Sequence, residues 1–318
     1  MKFVSFAQNF EDVMLWRALK HIQNGFYVDV GAFSPDLDSV TKAFYNAGWS
    51  GINIEPNPDF AVPYQVNRPR DILVTDAVSD SSGEQEIYIV PSTGLTSMDQ
   101  GVADHHADKG WTVEPIKVRV RTLAEILEEH APGRDIHFLK IDVEGLEENV
   151  IRGNDWERFR PWILVIEATF PMSQVESHAS WEPLILKAGY HFVYADGLNR
   201  FYVADNHLEL TAAFKYPPNV FDNFVRHDLV EEQAHAASSQ EEVVKLNQAI
   251  SLSSERINIL NAQLEQSRAD LKSCEQERAT LSSQRQALSE QIQALVSSTS
   301  WRVTRPLRAF KNLLGQRN

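Results

Sequence analysis

The sequence predicts an α/β fold: a Rossmann-like, seven-stranded, mostly parallel sheet with an antiparallel terminal hairpin, followed by a long α-helical coiled coil. Three observations predict it. Five short apolar runs alternate with helical stretches, the pattern of a sheet with helices on both faces. Two further runs flank Asp196-Gly197, a hairpin turn signal. From Val243 onward a seven-residue repeat continues with no Gly or Pro to interrupt it.

Each element has its own signature. Residues 26–31 (FYVDVG) form a buried run ending in glycine, read as the first strand. Residues 51–55, 71–75, 137–142 and 162–167 are the next four. Helices are expected over 38–47, 122–130, 146–151 and 181–188; Thr122 with Glu125 is a capping box. Residues 190–194 and 200–204 make the hairpin. In the repeat, position a falls on Val243, Ile250, Ile257, Leu264, Leu271, Arg278, Arg285 and Ile292. Position d falls on Leu246, Ser253, Leu260, Ser267, Cys274, Leu281, Leu288 and Leu295. Ile at a with Leu at d favours a parallel two-stranded coil, weakened here by the polar seam residues. The expected organisation is therefore a globular domain over 1–227, a linker over 228–240, a coiled coil over 241–297 and a basic amphipathic tail over 298–318.

Charge is divided the same way. The net charge of -14 combines about -17 in residues 1–237, -2 in 238–300 and +5 in the tail. An acidic body argues against nucleic-acid binding, which needs a basic surface. The single cysteine, Cys274, excludes a disulfide framework, and no metal site is expected. Residues 1–16 lack the pattern of a signal peptide, and no apolar run is long enough to span a membrane, so a cytoplasmic location is expected. The tail places Leu307, Phe310 and Leu314 on one face with Arg308 and Lys311 elsewhere, which suits peripheral contact with an anionic membrane or a cap on the coil.

In a sheet of this kind ligands meet the carboxyl ends of the strands. Asp29 and Gly31 end the first strand, Glu55 the second, and Asp76 with Ala77 follows the third. Glycine permits close backbone approach. An acid at the second strand end can accept both ribose hydroxyls of a nucleoside, and one at the third can meet an adenine amino group. The fourth strand end, residues 140–147 (KIDVEGLE), carries Lys140, Asp142, Glu144 and Glu147. Lys140 and Asp142 share a strand face. Charges in so apolar a segment are costly unless paired, so they point to structure, catalysis or both. Glu147 also fits the charge preference of a helix N-terminus.

Residues 138–147 (FLKIDVEGLE), followed by Gly153, resemble the signature of the FkbM-type S-adenosylmethionine-dependent methyltransferases. The similarity extends through 5–15 (SFAQNFEDVML), 28–31, 54–57, 76–79, 93–97, 160–168 and 196–203. Residues 217–222 (PPNVFD) and the coiled coil resemble members associated with bacterial surface polysaccharide. The resemblance implies a class I methyltransferase fold and O-methylation of a sugar hydroxyl in surface polysaccharide or a glycan precursor. It places Asp29 and Gly31 at the methionine part of the cofactor, Glu55 at the ribose, and Asp76 and Ala77 at the adenine. Asp142 or Glu144 becomes the general base, with Lys140, Glu11 and Glu167 helping to orient a glycan acceptor. His105 and His106 sit in a polar loop that could cover the site or supply a base. The coiled coil implies a homodimer.

Three alternatives are weaker. A nicotinamide-dependent oxidoreductase would need further glycines after Gly31, where Ala32, Phe33, Ser34 and Pro35 stand instead. A glycosyltransferase is suggested only by Asp36 and Asp38. A non-catalytic scaffold in polysaccharide assembly would not need the strand-end acids intact.

Overall fold

The computed structural model describes residues 2–91, 96–97, 101, 109–171 and 173–308. The chain divides into two compact units, 1–233 and 234–318.

The first unit is built on a seven-stranded sheet. Its strands are β1 (Phe26–Val30), β2 (Ser50–Ile54), β3 (Ile72–Val74), β4 (Phe138–Ile141), β5 (Ile163–Glu167), β6 (Tyr190–Ala195) and β7 (Asn199–Ala204). Their spatial order is β6-β7-β5-β4-β1-β2-β3. Strands β1 to β5 pair in parallel, while β7 runs antiparallel to β5 and to β6. The strand order reverses beside β1, which opens a crevice at the carboxyl ends of β1 and β4.

Alternation along the strands sends side chains to opposite faces. Val28, Val30, Ile52, Ile54, Leu139, Ile141, Leu164 and Ile166 join one core. That core is covered by α4 (Leu123–His130), α5 (Glu147–Arg152) and α6 (Glu182–Lys187) through Ile126, Leu127, Val150, Ile151 and Ile185. On the other face Tyr27, Phe138, Ile163, Val165 and Phe201 pack with Met14, Leu15 and Leu19 of α1 (Glu11–Leu19) and Phe44 of α2 (Lys42–Asn46). The expected capping box closes the start of α4: Glu125 N donates to Thr122 Oγ1 at 3.2 Å and Thr122 N to Glu125 Oε2 at 3.1 Å.

Several features depart from the sequence expectation. The helix foreseen over 38–47 begins only at Lys42, because Asp38 takes a left-handed backbone (φ 51°) and Ser39 and Thr41 bond to Arg68. A separate four-stranded sheet of residues 77–78, 83–89, 96–97 and 114–121 was not foreseen. Its long strands place Tyr88 between Ile87 and Ile89, and Lys117 and Arg119 among Ile116, Val118 and Val120, so the apolar residues recur on one side of each. The segment 3–5 pairs in parallel with 224–226, and Arg17 clasps Asp222 at 2.7 Å beside this join.

The second unit is helical. Helix α7 (His227–Ser297) is 71 residues long, so residues 228–240, foreseen as a linker, lie within it. Its seam positions are open to solvent in the single chain, Ile250 at 62% and Leu260 at 48%. A short helix, α8 (Thr299–Val303), follows. No helix among the described residues is long and apolar enough to cross a membrane. The tail residues Phe310, Lys311 and Leu314 lie outside the described residues.

Candidate functional site

A cavity of about 450 Å³ opens at the carboxyl ends of the central strands. Glu11, Asp29, Gly31, Glu55, Asp76, Ala77, Lys140, Asp142 and Glu144 all line it. Most of these owe their common address to strand parity. Asp29 is in register with Asn53 on one side and Lys140 on the other, and Lys140 with Val165. Gly31, Glu55, Asp142 and Glu167 follow two residues later on the same face.

Lys140 is the electrostatic centre. Its Nζ lies 3.1 Å from Asp142 Oδ2 and 3.7 Å from Asp29 Oδ1. Burial opposes its charge, but Asp142 and Asp29 outweigh that cost and raise its pKa. Asp29 is 1% exposed. Burial raises its pKa against the pull of Lys140. Its Oδ2 accepts from Thr41 Oγ1 at 3.4 Å, while Oδ1 has no hydrogen-bond partner among the described residues.

Arg68, on the chain leaving α3 (Ala61–Asn67), braces this wall from beneath. It is 1% exposed and donates to Pro35 O, Ser39 Oγ, Thr41 Oγ1 and Asp71 Oδ2. Asp71 in turn accepts from Tyr27 Oη, Gly51 N and Asn53 Nδ2. Sequence reasoning missed this network. Only Asn53 left a signal, as a polar residue inside an apolar strand two steps before Glu55.

Gly31 is required by the chain itself. Its φ is +78°, and an added Cβ would stand 1.7 Å from the Asp142 carbonyl oxygen. Glu55 accepts from Phe33 N at 2.9 Å and Asn57 N at 2.8 Å. Burial pushes it up to about 7 against those two amides. Asp76 faces Arg121 at 3.7 Å. Beside Asp76 and Ala77 the cavity wall is apolar, with Ile54, Val78 and Ile87.

The turn after β4 separates its acids. Glu147 Oε1 accepts from Val143 N and Gly145 N at 3.2 and 3.1 Å, so this residue closes the turn. Glu144 sits on a left-handed backbone (φ 53°), a conformation costly for a residue with a side chain. It makes no hydrogen bond or ion pair among the described residues. Burial, then Asp142 and Glu147, push it up to about 7. Glu167 does not line the cavity; it reaches the site through Asp142. Burial, then Asp142, Glu144 and Glu147, raise it well above the usual carboxylate range, so it holds a proton at neutral pH.

Glu11 enters from α1. It accepts from Asn9 N at 2.9 Å and from Asn199 Nδ2 at 2.8 Å, and burial pushes it up to about 7. Asn199 of β7, also bonded to Asp196, is a second residue that sequence reasoning did not single out. Asp36 pairs with Lys42 and Asn67, which gives it a structural role beside the cavity. His105 and His106 lie outside the described residues.

No curated protein matches the chain. One similar solved structure is a TehB-like SAM-dependent methyltransferase from Corynebacterium glutamicum, at 10% identity and a TM-score of 0.34, covering 61% of this chain and 85% of that one. The family model of the methyltransferase FkbM domain matches residues 29–192, which run from Asp29 at the end of β1 into β6 and take in every cavity acid except Glu11. The chain belongs to the FkbM-type methyltransferase family, with a long C-terminal helix added to the family's domain.

Proposed function

We propose that the chain transfers a methyl group from S-adenosylmethionine to a sugar hydroxyl in a surface polysaccharide or glycan precursor. The observation that carries this is one cavity presenting Asp29, Glu55 and Asp76 at three successive strand ends, with Glu144 opposite. The residues suit the cofactor. Asp29 Oδ1 is a buried acceptor without a hydrogen-bond partner, as an ammonium group requires. Glu55 offers carboxylate lone pairs for ribose hydroxyls, and Asp76 beside Val78 and Ile87 offers an acceptor next to an apolar slot for adenine. A volume of about 450 Å³ falls in the range of small-molecule sites.

When bound, the cofactor supplies a methyl on a sulfonium, a leaving group that needs no protonation. The protein then has to orient the acceptor oxygen and take its proton. Of the two candidate bases, Asp142 is already engaged by Lys140 at 3.1 Å. Glu144 is unpaired and held near neutrality, which suits a base that gains and returns a proton. Lys140 holds Asp142 in place, and the Glu167 carboxyl, kept protonated by burial and by Asp142, adds no further charge beside it. Glu11, fixed by Asn199, is placed to accept from an acceptor hydroxyl.

The exposed a and d side chains of α7 support a parallel homodimer, and the tail's +5 charge supports peripheral membrane contact. Calorimetry with S-adenosylmethionine tests the core of the proposal. Binding is expected for the full chain and is lost in Glu55→Ala; equal binding by both would count against it. Glu144→Gln should keep cofactor affinity while turnover falls about 10²–10⁴-fold. Retained turnover would remove Glu144 from the base role. The acceptor itself is found by mass spectrometry of surface glycan from a deletion strain, which should lack one methyl increment.

A further inference from the structure

The cavity is unusually one-sided in charge. Glu11, Asp29, Asp38, Glu55, Asp76, Asp142 and Glu144 all line it. Lys140 is the only cationic side chain among the described lining residues. It is already shared between Asp142 and Asp29.

A phosphate can also be held by backbone amides, so those matter as much as the side chains. Here seven of the amides around the strand ends are taken up by the chain itself. Gly31 N and Ala32 N donate to Ile54 O at 3.0 and 3.1 Å. Phe33 N donates to Glu55 and Leu37 N to Ser34 Oγ. Across the cavity Asp142 N donates to Val30 O, and Val143 N and Gly145 N donate to Glu147. With Asp29 Oδ1 given to the cofactor ammonium, the unpartnered groups among the described lining residues include the Glu144 carboxyl and the buried Thr96 hydroxyl.

We infer that the acceptor enters this cavity as a phosphate-free, hydroxyl-bearing sugar, not as a nucleoside diphosphate sugar or sugar phosphate. The inference rests on the methyl-transfer proposal above and narrows its substrate class. Its physical basis is complementarity. Hydroxyl groups donate to carboxyl oxygens such as those of Glu144, whereas a pyrophosphate would meet a wall of carboxyl groups whose one described cation, Lys140, is already shared by two of them.

The test uses the full chain with S-adenosylhomocysteine bound. Inorganic pyrophosphate and uridine diphosphate are titrated calorimetrically, and neither should show saturable binding at millimolar concentration. Saturable binding of either overturns the inference. In a second arm, methyl-labelled S-adenosylmethionine is offered with methyl glycosides of glucose, mannose and rhamnose and with their nucleoside diphosphate counterparts. Label in a glycoside supports the inference, and label in a nucleotide sugar overturns it. Failure of S-adenosylhomocysteine to bind at the outset refutes the methyltransferase proposal instead.

Discussion

Lys140→Met removes the one cation that holds two acids together at the heart of the sheet. Asp29 is 1% exposed and would be left without its counter-ion. The Asp142 side chain keeps 32% of its surface, so water takes up part of its charge and the loss falls mainly on Asp29. Deleting one partner of a buried ion pair costs about 3–5 kcal/mol. For a domain of this size each kcal/mol moves the melting temperature by about 2–4 °C, so the variant should melt roughly 6–20 °C lower. Asp29→Asn in the same chain removes the stranded charge and should return more than half of the loss. Near-ultraviolet circular dichroism is a suitable assay, because every tyrosine and all but one tryptophan lie in the first unit. The deficit should be flat across neutral pH. The Lys140 pKa is raised, so its contribution is complete below the ordinary lysine value and fades only as pH climbs through a higher one. A loss under about 1 kcal/mol, the size of an exposed pair, would refute the reasoning, as would a double variant no more stable than the single one.

Other outcomes follow from the same geometry. Glu11, Glu55 and Glu144 are each held up at about 7, above their unfolded values, so the folded state binds more protons than the unfolded chain above about pH 4.5. That stability is complete below the unfolded pKa and is lost as pH rises through about 7; urea midpoints should therefore fall between about pH 5 and 7.5 and level off above, and a rising midpoint would contradict this. Arg68→Met strips a buried cation from Asp71 and three acceptors from the 35–41 segment, so it should cost about 3–5 kcal/mol and weaken cofactor binding; a variant as stable as wild type would dismiss the brace. Cys274 is exposed at a d position, so mild oxidation should yield a covalent dimer on a non-reducing gel, and failure to crosslink would argue against a parallel, in-register coil.

Much of the fold was legible because its determinants are periodic. Strand β4 could be located from a buried run, and Asp29, Glu55 and Asp142 could be placed on a common face because side chains alternate along a strand. The family motif around Lys140 supplied the rest of the address. The second sheet was harder to see, since one strand opens on the polar stretch Glu84, Gln85 and Glu86 and the other sets Lys117 and Arg119 between apolar residues, so neither has a continuous run.

The sequence by itself determined the order of strands and helices, the acidic body, the basic tail, the heptad register and the identity of the strand-end acids. These are properties of neighbours along the chain. Only the tertiary structure decided which acid is free. Lys140 occupies Asp142 because β1 and β4 pair in register. Glu147 folds back on two amides of its own turn, and Glu167 is driven to hold a proton by burial and by charges from other elements. Glu144 is left unpaired on a strained backbone, facing the cavity. Likewise Gly31, legible as a place for a ligand to approach, proved to be where the Asp142 carbonyl passes. Ionisation and partnership depend on distances between residues far apart in sequence, and those distances exist only once the sheet has closed.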